Sequence, residues 1–294
     1  MKTKKVDKVT LFILAAVGLI FPLMADNYIL CIGISVLIAA LLGQSWNIMS
    51  GYAGQFSFGH AVFFGIGAYT STALYTMGGV SPWIGMIAGA LIAALVGVII
   101  GFLSFRYKLR GDYFALATLA FAEIFRIIFN NSKSLGGAAG ILIPYLKDPA
   151  QFQFASDKTY YLVILAMVGI ATAFIAWMSR HKLGLNLVAI KSNQEAAAAL
   201  GVDVLKYKLI AIAVSAAFAA LAGTFYAQYY GFIDPSIVFV ATISVEAIVP
   251  CIIGGSGTMC GPLLGALIII PLQEVCNSLF TASSGVNMII YGLM

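Results

Sequence analysis

Apolar stretches of about the length of a membrane-spanning helix follow one another along almost the whole chain. A helix needs about 20 mostly apolar residues to cross the ~30 Å hydrocarbon core of a bilayer. Nine such stretches cover residues 9–25, 28–50, 55–77, 83–105, 113–130, 160–179, 207–230, 237–253 and 262–280. A tenth starts near residue 286. The pattern predicts an all-α fold, a polytopic integral membrane helix bundle of about nine or ten spans in one domain, residues 1–294.

The composition excludes most other classes of protein. Hydrophobic residues make up 62% of the chain and charged residues only 9%, whereas a soluble domain is roughly 45–50% apolar and about 25% charged. A soluble enzyme, a nucleic-acid-binding domain and a disordered chain are therefore excluded. The expected surroundings are a lipid bilayer, and nucleic acid is not an expected partner.

The distribution of basic residues predicts the orientation. If the N-terminus is inside and each span reverses direction, the inner segments carry 12 of the 16 Lys and Arg residues and the outer segments carry three. Basic loops stay on the cytoplasmic side of membrane proteins. The count therefore predicts a cytoplasmic N-terminus, an extracytoplasmic loop at residues 131–159 and a cytoplasmic loop at residues 180–206.

Two spans carry small residues at an unbroken spacing of four. Such residues lie on one face of a helix, where they let the backbones of neighbouring membrane helices approach closely. We therefore predict helix–helix contact along the two stripes, which are Gly85, Gly89, Ala93, Gly97 and Gly101, and Ala211, Ser215, Ala219, Gly223 and Ala227.

Two glycine-rich segments, residues 51–61 and 254–265, lie between spans on the predicted inner side. Non-helical backbone at membrane depth is tolerated where it is buried in protein or lines a water-filled cavity. Both segments are therefore candidates for a translocation pathway, and Gln55, Ser57 and His60 are candidate polar contacts for a substrate. No lysine follows either cluster as a P-loop requires, so ATP is not expected to bind through that motif.

Further candidates for the pathway are the ionisable residues Glu123, Arg126 and Glu246, because ionisable groups within spans must face protein or water. Glu123 and Arg126 are three residues apart and can form an ion pair on one helix. Glu246 and Glu274 have no cation nearby in the sequence. The histidines and cysteines show no ligand spacing, so no metal site is expected. The sequence shows no catalytic cluster either, and hydrogen bonding is the expected role of His60 if it is not a substrate contact.

The inner loop contains a short polar helix pattern between Lys191 and Gly201. Ser192 or Asn193 can cap the start of this helix and Gly201 can end it. The run Glu195, Ala196, Ala197, followed after three residues by Gly201, resembles the EAA loop of ABC-importer permeases. In that family the loop forms a coupling helix that lies in a cleft of the ATP-hydrolysing subunit.

The resemblance extends over roughly residues 28–280. Residues Gly51–Thr70 are similar to the signature of branched-chain amino acid permeases of the LivH/LivM type. Residues Leu109–Leu119, with Glu123 and Arg126 after them, resemble the LivM subclass in particular. The EAA loop also resembles that subclass, as does Glu246 followed by the glycine-rich run at residues 254–258.

This resemblance implies a division of labour among several chains in a bacterial or archaeal plasma membrane. An extracytoplasmic binding protein would deliver Leu, Ile or Val, and this chain with a homologous LivH-type permease would form the pathway. Two ABC ATPase subunits would bind ATP and move the coupling helices. The chain itself would then be a non-catalytic subunit without a cofactor, and transport would occur by alternating access.

Three alternatives remain open at the level of sequence. Related permeases carry urea or short amides, which are the alternative substrates. A proton-coupled secondary transporter would use Glu123, Glu246 or Glu274 as coupling carboxylates. The third alternative is a channel. The EAA loop favours the ABC importer, because a secondary carrier does not need a surface on which an ATPase docks.

Overall fold

The computed structural model describes residues 18–107 and 109–279. The described part of the first helix, α1, covers residues 18–24. It is followed by α2 (Asn27–Trp46), which continues as a π-helix (Asn47–Tyr52), and by α3 (His60–Gly78), α4 (Pro82–Arg106), α5 (Asp112–Asn131), α6 (Asp157–Met178), α7 (Lys182–Ser192), α8 (Gln194–Ala199), α9 (Val204–Tyr230), α10 (Pro235–Val238), α11 (Ala241–Gly254) and α12 (Gly261–Leu279). The predicted tenth span and the basic residues Lys2, Lys4, Lys5, Lys8 and Lys108 lie outside the described residues.

The predicted polytopic helical membrane fold is confirmed. Within the described residues, five helical segments are long and apolar enough to cross a membrane. Helices α3 and α5, with 19 and 20 residues, lie where spans were predicted, and a shorter apolar helix covers Gly261–Asn277. The five segments are Asn27–Tyr52, Pro82–Arg106, Asp157–Met178, Val204–Tyr230 and Pro235–Gly254.

The boundary of one predicted span was wrong, and another predicted span contains a break. The span predicted at 55–77 begins as a helix only at His60, because residues 53–59 are held in a non-helical path by contacts with other helices. The span predicted at 237–253 is divided into α10 and α11. The Asp234 side chain caps α10 by accepting from the backbone N–H groups of Ser236 and Ile237, and the chain turns extended at Val240 before α11 begins.

Helices α3, α4 and α9 pack along the two stripes of small residues, and all ten residues of the stripes are buried. A Cβ atom added to Gly97 would lie 3.0 Å from the Cβ of Ala216, and one added to Gly89 would lie 3.2 Å from the Cα of Gly67. At these distances the backbones are close to contact, and little room remains for larger side chains. The prediction that the stripes mediate helix packing is confirmed.

The loop at residues 131–159 folds back over the helix ends on the predicted outer side. Its strand β1 (Ile141–Leu142) pairs antiparallel with β2 (Phe232–Ile233), which follows α9. The indole N–H of Trp83, at the start of α4, donates to the carbonyl of Pro149 at 3.1 Å. These contacts join the loop to α4 and α9, so it is part of the packed structure.

Candidate functional site at the inner junction

The two glycine-rich segments, far apart in the sequence, are in direct contact. The π-helix that ends α2 places Asn47 between them, and π-helical turns occur frequently at functional sites. The Asn47 amide donates to the carbonyl of Thr258 at 2.8 Å and accepts from the N–H of Gly257 at 2.7 Å. A Cβ atom on Gly51 would lie 2.7 Å from the Gly257 nitrogen. We call this contact region, together with residues 53–59 and the adjoining inner loop, the inner junction.

Residues 53–59 follow a fixed path through the bundle. The indole N–H of Trp46 donates to the carbonyl of Ser57 at 2.8 Å, and the N–H of Phe58 donates to the Thr118 hydroxyl at 3.0 Å. The Ser57 side chain is buried and accepts from the N–H of Gly59. Its hydroxyl therefore supports the local backbone, and its role as a substrate contact stays a prediction.

His60 begins α3 and connects three helices. Its Nε2 lies 2.9 Å from the Ser215 hydroxyl of α9, which donates to the carbonyl of Ser45 in α2 at 2.7 Å. The following N–H, that of Ala61, donates to Ser244 of α11 at 3.0 Å. The imidazole is fully buried. These contacts show the hydrogen-bonding role expected for it, while its contact with a substrate stays a prediction.

Gln55 lies next to a lysine that the sequence did not single out. Its Oε1 accepts from the Lys208 ammonium at 3.1 Å, and the same ammonium donates to Oε1 of Gln194 at 2.7 Å. A second lysine, Lys191, donates to the carbonyl of Gly51 at 2.7 Å. Two lysines of the inner loop and α9 thus contact the first glycine-rich segment.

The short helix predicted between Lys191 and Gly201 is present as α8, and a second helix, α7, precedes it. Residues 182–192 form α7, and Asn193 is extended before α8 begins. The Asn193 side chain accepts from the N–H groups of Glu195 and Ala196, each at 3.0 Å. Gly201 follows the helix with φ of +87°, a conformation that favours glycine. The predicted cap at Asn193 and stop at Gly201 are confirmed.

The residues of the EAA pattern have two different environments. Glu195, Ala196 and Gly201 are exposed. The Oε1 atom of Glu195 lies 3.6 Å from Nη1 of Arg110, a residue that precedes α5. Ala197, by contrast, is 3% exposed and faces the protein. The exposed surface that could receive another chain therefore includes Glu195, Ala196 and the Gly201 turn, but not Ala197.

The ionisable residues of the spans are separate from the inner junction. The Arg126 Nε donates to Glu123 at 2.9 Å, so the predicted ion pair is confirmed, and it lies on an exposed side of α5. Glu246 in α11 is half-buried, and within the described residues it forms no hydrogen bond or ion pair. Glu274 accepts from the Tyr28 hydroxyl at 3.0 Å.

Sequence reasoning missed Asn47, Lys191, Gln194 and Lys208. The two lysines were counted only as charges that set the orientation. One available signal is that Lys208 precedes Ala211 by three residues, which places it on the packed face of α9 with the small-residue stripe. A basic residue at such a position needs hydrogen-bond partners inside the protein.

A bundle of apolar helices with glycine-rich breaks between spans and an exposed inner helix is the architecture expected of a polytopic membrane permease. The chain belongs to the family whose model is described as "Branched-chain amino acid transport system / permease component", which matches residues 28–294. It is 31% identical to the "High-affinity branched-chain amino acid transport system permease protein LivM" of Escherichia coli K12, over 92% of this chain and 68% of the relative.

Two further relatives extend the comparison. The LivH permease protein of Salmonella typhimurium is 24% identical, over 87% of this chain and 86% of the relative. The "Probable branched-chain amino acid transport permease protein LivM" of the archaeon Methanocaldococcus jannaschii is 25% identical, over 77% of this chain and 75% of the relative. No solved structure shows a significant match to the chain.

Proposed function

We propose that this chain is the LivM-type permease subunit of an ATP-driven importer that moves Leu, Ile or Val across a plasma membrane. The proposal rests on family membership and on the branched-chain amino acid transport named for its LivM and LivH relatives. Transport proceeds by alternating access, in which ATP binding and hydrolysis shift the bundle between two states. The membrane is the plasma membrane of a bacterium or archaeon.

The observation that carries the ATP-driven mechanism is the short capped helix α8 at the inner surface. Its exposed residues Glu195 and Ala196 and the turn at Gly201 form a small surface that suits a cleft in another subunit. A carboxylate at the first turn of a helix forms strong hydrogen bonds with cationic partners. We assign this surface to one of two ABC ATPase subunits, which bind the ATP, so the permease needs no cofactor and has no catalytic residues.

The exposed face of α5 supports a second permease as partner. Leu116, Ala120, Glu123 and Ile127 recur at helical spacing on this face and are exposed. A charged side chain at the centre of a bilayer costs about 2.5–3.5 kcal/mol on insertion scales. Since the ion pair of Glu123 would otherwise face lipid, we assign this face to the translocation pathway between the chain and a homologous LivH-type permease.

The same ion pair has the charges that an amino acid substrate requires. A zwitterion carries a carboxylate, which a guanidinium binds well, and an ammonium, which a carboxylate binds. Arg126 and Glu123 are adjacent on α5 and partly exposed. In the proposed cycle, an extracytoplasmic binding protein delivers the amino acid, and the ion pair contacts its charged groups during passage.

Reconstitution tests this function. The permease pair and both ATPases are inserted into proteoliposomes, the binding protein is supplied on the extracytoplasmic side, and uptake of radiolabelled leucine is measured. We expect uptake that requires ATP and is insensitive to a protonophore. Uptake that follows a proton gradient and ignores ATP would overturn the proposal in favour of secondary transport, and selective uptake of urea would overturn the assigned substrate.

A further inference from the structure

Lys208 is a buried cation that contacts no carboxylate among the described residues. Its side chain is 3% exposed, although it lies only four residues after the start of α9. The ammonium donates to the amide oxygens of Gln55 and Gln194, at 3.1 Å and 2.7 Å, and lies 5.1 Å from the centroid of the Phe105 ring. Two neutral amides and an aromatic face thus replace the water that the charge has lost.

Burying an unpaired cation is unfavourable, and a Leu or Met in its place would fill the site without that cost. The position therefore serves a specific set of contacts more than it serves packing. Those contacts join two separate parts of the chain: Gln194 is the first residue of α8, and Gln55 lies in the non-helical segment before α3. Lys208 holds them together from a third element, α9.

Lys191 makes a second connection between the inner loop and the first glycine-rich segment. It lies at the end of α7, two residues before the Asn193 cap, and donates to the carbonyl of Gly51 at 2.7 Å. Its aliphatic chain packs on Gly54, where an added Cβ atom would lie 2.9 Å from Lys191 Cγ. We call Lys191, Lys208 and their three partners, Gly51, Gln55 and Gln194, the lysine link.

The glycine-rich segment continues the connection into the bundle. Residues 51–55 contact the second glycine-rich segment at Gly257, and residues 57–61 are hydrogen-bonded to α2, α5 and α11. A displacement of α8 that the lysine link transmits would therefore reach the start of α3 directly. Coupling between sites is carried through chains of packed and hydrogen-bonded groups that reach an element with two arrangements.

We propose that the lysine link makes the coupling helix α8 and the segment Gly51–Gln55 move as one body, so that movement imposed on α8 at the inner surface is passed to the glycine-rich break at the start of α3. This inference rests on the proposed function for the source of the movement. Lys191 and Lys208 act as positioning residues, because their ammonium groups hold Gly51, Gln55 and Gln194 in place. The route through two lysines is specific enough to be tested one residue at a time.

The first experiment tests the link itself and needs no transport. Hydrogen exchange is measured on the purified permease for wild type, Lys208→Met, Lys208→Arg and the control Lys206→Met, since Lys206 lies on the same helical turn but is exposed. We expect Lys208→Met to speed exchange about five-fold in both α8 and residues 53–59, while the control leaves both unchanged. Faster exchange in only one of the two segments, or in neither, would overturn the link.

The second experiment tests whether the link carries coupling. In the reconstituted complex, leucine uptake per ATP hydrolysed is measured for the same variants, with co-purification of the ATPases as a check on docking. We expect Lys208→Met to lower the ratio about five-fold with docking retained, which corresponds to a loss of about 1 kcal/mol of coupling free energy. Lys208→Arg keeps the charge and the donors and is expected to restore at least half of the ratio.

The outcomes separate the two proposals. A Lys208→Met complex that keeps the wild-type ratio of uptake to hydrolysis would overturn the coupling role while leaving the proposed importer intact. Wild-type uptake that ignores ATP would overturn the proposed function and the coupling role together, whereas the exchange experiment would still decide whether α8 and residues 53–59 are linked.

Discussion

The closest approach between α3 and α9 gives the sharpest test of the packing argument. At Gly223 an added Cβ atom would lie 1.9 Å from the carbonyl oxygen of Phe64, and at Gly67 it would lie 2.1 Å from that of Ala220. The Thr224 hydroxyl donates to the Gly67 carbonyl at 3.0 Å across the same crossing. The two backbones are thus in contact, with only hydrogen atoms on the facing glycines.

We expect the substitution Gly223→Ala to destabilise the protein by about 2 kcal/mol. To reach ordinary contact at 3.4 Å, the helices must separate by about 1.5 Å. Overpacking of this kind costs about 1–3 kcal/mol, and loss of the Thr224 hydrogen bond adds about 0.6 kcal/mol. The higher helix propensity of alanine offsets about 1 kcal/mol.

The matched control is Gly169→Ala in α6, where an added Cβ atom meets nothing within 4 Å. This variant gains helix propensity without a clash and should be neutral or up to about 1 kcal/mol more stable. Thermal unfolding in detergent, followed by loss of the monodisperse peak on size-exclusion chromatography, measures both. We expect Gly223→Ala to unfold about 4–8 °C below wild type. Equal midpoints for the two variants would refute the argument that small residues set the α3–α9 distance.

Two further predictions concern the inner helix and the ion pair. Ala196→Trp should weaken co-purification of the ATPases by at least about ten-fold while leaving thermal stability unchanged, because Ala196 is exposed. Ala197→Leu should instead lower the free energy of unfolding by about 1–3 kcal/mol, because Ala197 faces the protein. The reverse pattern would contradict the assigned docking surface. The double variant Glu123→Gln, Arg126→Gln removes both charges without leaving one unpaired, and it should reduce leucine uptake about ten-fold with stability within about 1 kcal/mol of wild type. Unchanged initial uptake rates would contradict the substrate contact.

Features of the fold that depend on nearby residues were predictable. The apolar stretches predicted most of the helices, since their length and composition are local properties. The cap at Asn193 involves residues two and three positions away, and the Glu123–Arg126 pair spans one helical turn. Both are decided by helix geometry, which a sequence expresses directly.

Features that depend on contacts between distant segments were not predictable. Lys208 and Gln55 are 153 positions apart, and Asn47 and Gly257 are 210 positions apart. The late start of α3 at His60 depends on hydrogen bonds that residues 53–59 form with other helices, and the helix is interrupted at Val240 between α10 and α11. Apolar residues continue through the interruption at Val240, so hydropathy alone could not reveal it.

The sequence by itself determined that the chain is a helical membrane protein. It also determined the two stripes of small residues along which helices pack, and the start and end of the short inner helix. Each of these follows from the spacing of residues along one helix. The tertiary structure decided that the two glycine-rich segments meet, that Ala197 faces inward while Ala196 faces outward, and that Lys208 is buried between two glutamines. These depend on which helix faces come together, and close packing in three dimensions selects those faces.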